Sequence, residues 1–481
     1  RKASVITIDP ADAKDFDDAF SLERVDPKRW RLCVHIADVS HYVKPGSALD
    51  DEARKRGNST YLVDRVIPML PEALSNELCS LKPEVERLTK CVDFLISTDG
   101  KVQRTRFYPA VIHSQRRYSY EEALAVLRGK AGDGLDRMLR DAGRLAQKIR
   151  KRRITAGPLQ LDFPESKIRL DERGPIARTD FVDNDESHQL IEEFMLLANE
   201  AVAGRLMKQK RSTLYRVHEP PSPERLQGYR EDVLGRDVVC GNLEKPGEVQ
   251  KLLRRLEGLA IGPALKIGLL RSLMRARYAV EPLGHYGLAK EKYTHFTSPI
   301  RRYTDLVVHR TLFEDLDESR VAMKELADHL SATERNSADA ERDSKSVKLY
   351  AYLLAQLKSR KPKRYTALVT DVRNFGFFVD ISELGLSGVV PLSSLDDDFY
   401  EFDAAKARVR GRRNRRVNKL GDRVEVEIAE VDTAMKRLDF RLAELPKEKP
   451  AKSTQRRQAK GKRVRGSTTR RKRAGREKGR W

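Results

Sequence analysis

The chain has 481 residues, 39% of them hydrophobic and 35% charged, with 95 Lys+Arg against 72 Asp+Glu for a formal charge of +23. That length suits two to four domains, the apolar share excludes disorder throughout, and no apolar run approaches the ~20 residues a membrane helix needs. The four cysteines, Cys33, Cys79, Cys91 and Cys240, form no C-x-x-C pair, which argues against a disulfide framework or zinc site and for a reducing compartment, the cytoplasm. The chain opens Arg1-Lys2-Ala3-Ser4 without Met and is expected to be a piece of a longer protein.

The sharpest feature comes first, TIDPADAKDFDDAF. VITI reads as a strand, Pro10 ends it, and Asp9, Asp12, Asp15, Asp17 and Asp18 crowd the loop beyond. Carboxylates so close repel one another unless cations neutralise them. Oxygen-only ligands suit Mg²⁺ or Mn²⁺ rather than zinc or copper, and such ions activate water and stabilise charge on a scissile phosphate. A solvated acidic turn is the plain alternative, and the spacing of a calcium-binding EF-hand loop is absent.

RWRLCVHIADVSHYV, Arg29 to Val43, reads as strand. Ser187 to Gln209 reads as a largely buried helix with Ser187 as N-cap. Ser298 to Phe313 reads as a second helix, with Ser298 as N-cap and Pro299 in its first turn. That placement puts Arg301 and Arg302 at a helix start, where forked guanidinium groups and free N–H groups attract phosphate. Asp305 and His309 share a face at i, i+4 and could bind a metal, but ordinary polar contacts are the better expectation. A long polar helix from about Arg320 to Leu357 ends in the basic run KSRKPKRY, a natural boundary. From about Lys361 to Leu445 five short strands suggest a closed barrel of the OB type.

Between those strands the Lys/Arg-rich run Lys406 to Lys419 reads as a loop that would meet a phosphate backbone, with a plain solvated loop as the alternative. The last segment, Pro446 to Trp481, holds 16 Lys+Arg and 2 Glu. Its net +14 leaves +9 for everything before it. With so few apolar residues it is expected to be disordered and to attract phosphates non-specifically.

Successive blocks of the sequence, TIDPADAKDFDDA, HIADVSHYV, GNSTYLVDRVIPMLPEALSNELCSL, IEEFMLLAN, YRVHEPP and HYGLAKEKYTHFTSPIRRYTDLVVHR, resemble the RNB catalytic domain of the ribonuclease II and ribonuclease R family, the ribonuclease R branch most closely. The blocks come in the family's order over nearly all of residues 1 to 350. VTDVRNFGFFVDI, GLSGVVPLSSL and LGDRVEVEIAEVD resemble the OB-type RNA-binding domain named after ribosomal protein S-one.

The resemblance implies a mixed α+β RNB catalytic domain over 1–360, a five-stranded OB-fold barrel over 361–445 and a disordered basic tail over 446–481. It implies a processive 3′-to-5′ exoribonuclease that degrades single-stranded RNA to nucleoside 5′-monophosphates with Mg²⁺, for which Mn²⁺ can substitute. Carried over by position, Asp9, Asp15 and Asp18 would hold metal. Asp17 would join them and be the residue most tied to the chemistry, and Arg301 would hold the phosphate. Tyr61 would pack on the 3′-terminal nucleotide, since every base offers a π-face. Phe163 would end the base stack, Glu193 or its neighbour Glu192 would contact a ribose, and Arg302 would contact RNA. In the barrel, Phe375, Phe377 and Phe378 are candidate RNA contacts, with Phe375 and Phe377 expected on one strand face and Phe378 on the other.

Two departures from the family pattern stand out. Pro391 occupies a position where an aromatic or His is common, and the cold-shock-type domains that usually precede the catalytic domain are not in this sequence. The expected partners are single-stranded RNA and, through the tail, structured RNA or the ribosome, with no membrane and a monomeric state. Composition and spacing by themselves reach only a metal-dependent phosphate site. An RNA-binding regulator with an inactive RNB domain, and a deoxyribonuclease or other metal phosphohydrolase, therefore remain open.

Overall fold

The strand Val5–Asp9 (β1) is buried at all five positions because it has neighbours on both sides. It pairs antiparallel with Asp18–Asp26 (β2) and parallel with the far end of Val102–Ser119 (β5). With Arg29–Ala37 (β3) and Glu86–Ser97 (β4) between them, these strands close a five-stranded barrel in the order β1-β2-β3-β4-β5. Alternation sends Ile6, Ile8, Phe20, Leu22, Leu32, Val34, Ile36, Val92 and Phe94 to one face. There they form a single core with three helices, Tyr120–Arg128 (α1), Gly134–Ala156 (α2) and Glu186–Gln209 (α3). A second core joins the opposite face to Tyr303–Phe313 (α4) and Arg320–Lys358 (α5).

This computed structural model describes residues 3–443 apart from 160–164, 171–175, 183, 315, 317–318, 360–362 and 405. Phe163 and the basic tail lie outside the described residues. No helix among those described is long and apolar enough to cross a membrane.

The helix starts differ from the sequence reading. The N-cap of α3 is Asp185, whose carboxylate accepts from the backbone N–H of Ser187 and His188. Ser187 is already inside the helix, because a charged acceptor at the N-terminus satisfies two orphan donors at once. The second case matters more. Ser298 begins a tight turn in which its carbonyl accepts from the N–H of both Arg301 and Arg302. Helix α4 therefore starts only at Tyr303, with Arg302 extended before it. Both arginines precede the first helical turn rather than occupying it, so the helix terminus does not account for their placement.

The second barrel consists of Arg364–Arg373 (β6), Gly376–Ile381 (β7), Leu386–Pro391 (β8), Arg423–Asp432 (β9) and Arg437–Leu442 (β10), closed in the order β6-β7-β8-β10-β9. These are the five strands expected. The run Lys406 to Lys419 corrects the sequence reading: it is not a plain loop but carries two strands of a three-stranded sheet, Tyr400–Asp403, Arg408–Gly411 and Val417–Lys419. Acidic residues explain this. Asp403 pairs with Arg408, Glu401 with Arg412, and Asp398 with Arg413, so neighbouring strands neutralise much of the run.

The aromatic cluster also differs. Phe375 sits in the turn before β7 and is 56% exposed, while Phe377 is 0% exposed inside the barrel core. The turn rotates Phe375 out of strand alternation, so its ring meets Phe378 edge-to-face at 6.0 Å. Phe377 cannot contact RNA from the barrel interior, and the candidate surface pair is Phe375 with Phe378. Phe377→Ala is expected to lower the unfolding free energy by about 3–5 kcal/mol, whereas Phe375→Ala should change it by no more than about 0.5 kcal/mol. Denaturant titration of both variants measures the contrast.

Candidate active site

The acidic segment runs from the end of β1 to the start of β2, and its conformation is tied down from two directions. Ser80 donates its hydroxyl to the Lys14 carbonyl at 2.9 Å and accepts from the Phe16 N–H at 3.0 Å. The N–H of Leu81 then donates to the Phe16 carbonyl. From the other side, Arg117 on β5 donates to the carbonyls of Pro10 and Ala11 and lies over the Phe16 ring at 4.9 Å. Parallel pairing of β1 with β5 puts Arg117 opposite Thr7, which is why a residue a hundred positions away can hold this turn.

The result is a cavity of about 670 Å³ lined by Asp9, Asp12, Asp15, Asp17, Asp18, Tyr61, Tyr120 and Arg301, among others. All four predicted acidic residues, Arg301 and Tyr61 therefore meet in one place. Asp17 is 5% exposed and accepts from the Ile300 N–H at 2.9 Å, and Arg301 Nε lies 3.4 Å from its other oxygen. Burial pushes Asp17 up to about 8 against the opposing pull of Arg301, and burial pushes Asp18 up to about 6. Burial and the charge of Asp18 likewise raise Asp9, and burial raises Asp15.

Such crowding is what a cation would relieve. The Oδ2 of Asp9 is buried with no hydrogen-bond partner among the described residues, an orphan acceptor aligned with that need. No three of these carboxylates bring oxygens within 4.8 Å of one another, a spacing that only Cys33, His35 and Cys91 reach among the described residues. So open an arrangement suits a hydrated hard ion that keeps several of its waters.

The other candidates are placed less directly. Arg302 gives its fork to Asp305 at 2.8 and 2.9 Å and, with Tyr61 and Arg301, lines an adjoining cavity of about 250 Å³. His309 places Nε2 2.8 Å from the Phe296 carbonyl, so Asp305 and His309 have separate polar partners. Glu193, 1% exposed, is not among the residues lining the acidic cavity; its carboxylate accepts from Arg150 and Arg153. Glu192 shares the same two arginines. Sequence reasoning missed Ser80, Arg117 and Tyr120. The ring of Tyr120 closes the cavity while stacking on His188 at 3.9 Å, and nothing in its local pattern marks it.

The sequence matches the RNB domain over residues 1–318 and the S1 RNA binding domain over residues 358–442. It is similar to ribonuclease R of Thermotoga maritima, at 39% identity over 92% of this chain and 64% of the relative. It is also similar to ribonuclease R of Escherichia coli, at 36% identity over 92% of this chain and 57% of that protein. The chain thus spans about three fifths of the length of these curated relatives. Among solved structures, the Mycoplasma genitalium RNase R in complex with ribose methylated single-stranded RNA superposes with a TM-score of 0.83 at 31% identity, covering 92% of this chain and 71% of that one.

A raised carboxylate pKa means that the folded protein holds a proton the unfolded chain gives up. Stability from this source is therefore present below the ordinary carboxylate value and lost as pH rises through about 8 for Asp17. Thermal melts of metal-free protein are expected to fall between pH 5 and 9, and Asp17→Asn should flatten that slope. Millimolar Mg²⁺ should restore the loss at high pH, where the carboxylates are already ionised and a bound ion neutralises them in the folded state.

Proposed function

The chain belongs to the RNB-domain family, and from that premise we propose that it is a processive 3′-to-5′ exoribonuclease of the ribonuclease R kind, hydrolysing single-stranded RNA to nucleoside 5′-monophosphates with Mg²⁺. The observation that carries the reading is the convergence of Asp9, Asp15, Asp17, Asp18, Arg301 and Tyr61 on one cavity. The names of the curated relatives, and the RNA bound to the M. genitalium enzyme, support it. Division into a catalytic domain over 1–360, an RNA-binding barrel over 361–445 and a basic tail over 446–481 belongs to the same proposal, as does action in the cytoplasm.

In this mechanism Asp9, Asp15 and Asp18 hold the ion, with Asp17 beside them. When bound, Mg²⁺ neutralises charge on the scissile phosphate and makes a coordinated water more acidic. Asp17, kept ionised by a cation in the cavity and fixed by the Ile300 N–H, is then the residue to accept a proton from the attacking water. Arg301 is 46% exposed at its side chain and reaches toward Asp17 over 3.4 Å. It can turn its fork to a phosphate without uncovering a core. Tyr61, 37% exposed at the cavity wall, offers its ring to the terminal base. In the barrel, Phe375 and Phe378 supply the stacking surface, with Phe399 also exposed at 72%.

Asp17→Asn is expected to slow hydrolysis of a 5′-labelled oligoribonucleotide by at least about 10²-fold while leaving RNA binding measurable by gel shift. Degradation at a near wild-type rate would refute the assignment. The matched DNA oligomer should survive, and EDTA should stop cleavage of the RNA. Tyr61→Ala should lengthen the limit product on a denaturing gel, and an unchanged ladder would count against stacking.

A further inference from the structure

Cys33, His35 and Cys91 meet across the β3–β4 pair. His35 is directly opposite Cys91, and Cys33 is two residues along on the same face. Their ligating atoms all lie within 4.8 Å of one another, with His35 Nδ1 3.0 Å from Cys91 Sγ and 3.8 Å from Cys33 Sγ. All three are buried, at 6%, 5% and 0% exposed respectively. Bonds of about 2.3 Å to sulfur and 2.0–2.1 Å to nitrogen put the corners of a zinc tetrahedron roughly 3.5–3.8 Å apart, so this trio needs only a small adjustment to occupy three corners, leaving the fourth to a water.

What separates it from a chance meeting of buried residues is its outer layer. Each ligand has a hydroxyl of its own: Ser21 Oγ lies 3.1 Å from His35 Nε2, Tyr108 OH 3.6 Å from Cys33 Sγ, and Thr89 Oγ1 3.3 Å from Cys91 Sγ. An imidazole that donates from Nε2 to Ser21 presents the Nδ1 lone pair to the sulfurs, and the other two hydroxyls can donate to thiolates. Wide spacing in the sequence argued against a zinc site. That argument counted neighbours along the chain, whereas strand pairing brings residues 33 and 91 together.

We propose that Cys33, His35 and Cys91 form a second metal site, for a thiolate-preferring divalent cation such as Zn²⁺, distinct from the acidic cavity. Its carboxylate-free donor set rejects Mg²⁺ and selects a soft ion. Binding releases the protons of the two thiols. The ion clips β3 to β4 directly beside β2, where Ala19 pairs with His35 and Asp18 with Ile36. It therefore stiffens the strands from which the acidic loop is hung and takes no part in hydrolysis.

The test uses protein produced in medium carrying Co²⁺ in place of Zn²⁺ and then washed with excess Mg²⁺ to clear the acidic cavity. About one equivalent of cobalt should be retained, with a near-ultraviolet thiolate-to-cobalt charge-transfer band. Cys33→Ser and Cys91→Ala should each lower retained cobalt at least tenfold and abolish the band, while Cys79→Ala and Asp9→Asn keep both. A wild-type protein without the band, or retention equal in Cys91→Ala, overturns the proposal. If both ligand variants fail to fold, the wild-type band decides alone. Loss of the band in Asp9→Asn would instead assign the cobalt to the acidic cavity and also overturn it.

Discussion

Carboxylates crowded together and taken out of water are costly to ionise, and the groups around the acidic segment answer that cost only in part. Asp9 and Asp17 are 8% and 5% exposed, and water alone cannot compensate them. The backbone N–H of Ile300 and the guanidinium of Arg301 offset part of the penalty at Asp17. Arg117 instead holds the loop backbone. What is left uncompensated, the orphan oxygen of Asp9 above all, is what a bound cation would answer. A fully satisfied carboxylate cluster would be more stable and would bind nothing.

Positive charge is handled in the opposite way. In the three-stranded sheet inserted between the strands of the second barrel, four of the cations between residues 406 and 419 are matched locally by Asp397, Asp398, Glu401 and Asp403. Exposed pairs of this kind add little stability. They fix where the paired guanidinium groups point, and Phe375 and Phe399 add exposed apolar rings to the same domain. A polyanion approaching that domain meets ordered cations beside flat apolar rings, the combination that holds single strands without reading sequence.

Much of this was legible in the sequence because the signals are local. The strands of the second barrel, the long helix Arg320–Lys358 and the acidic cluster each follow from patterns within about forty residues, whereas the first barrel was not read and the strand expected over Arg29 to Val43 ends at Ala37, where Asp38 caps a short helix. The errors come from competition between local alternatives. Ser298 has the chemistry of an N-cap, but Asp305 accepts its N–H and Arg302 pairs with that same carboxylate, so the turn tightens and the helix begins later. Phe375 obeys strand alternation only if the strand begins before it, and the turn ends that assumption. The unread residues, Ser80, Arg117, Tyr120 and the Cys33–His35–Cys91 group, act through strand register and loop packing, which no spacing in the sequence encodes. Family resemblance supplied the roles of Asp17, Arg301 and Tyr61, where the residues alone offered a phosphate site without a substrate.

The bond from the Ile300 N–H to Asp17 spans 283 residues. It has a consequence for the life of the chain before it is finished. At a synthesis rate of roughly 5–20 residues per second, Asp17 emerges about 15–60 s before the turn that will hold it. Through that interval the acidic loop also lacks Arg301, so Asp17 has neither of the groups that offset its burial. The first barrel, complete by residue 119, therefore exists for most of that interval with Asp17 buried in it and neither of its two partners yet made.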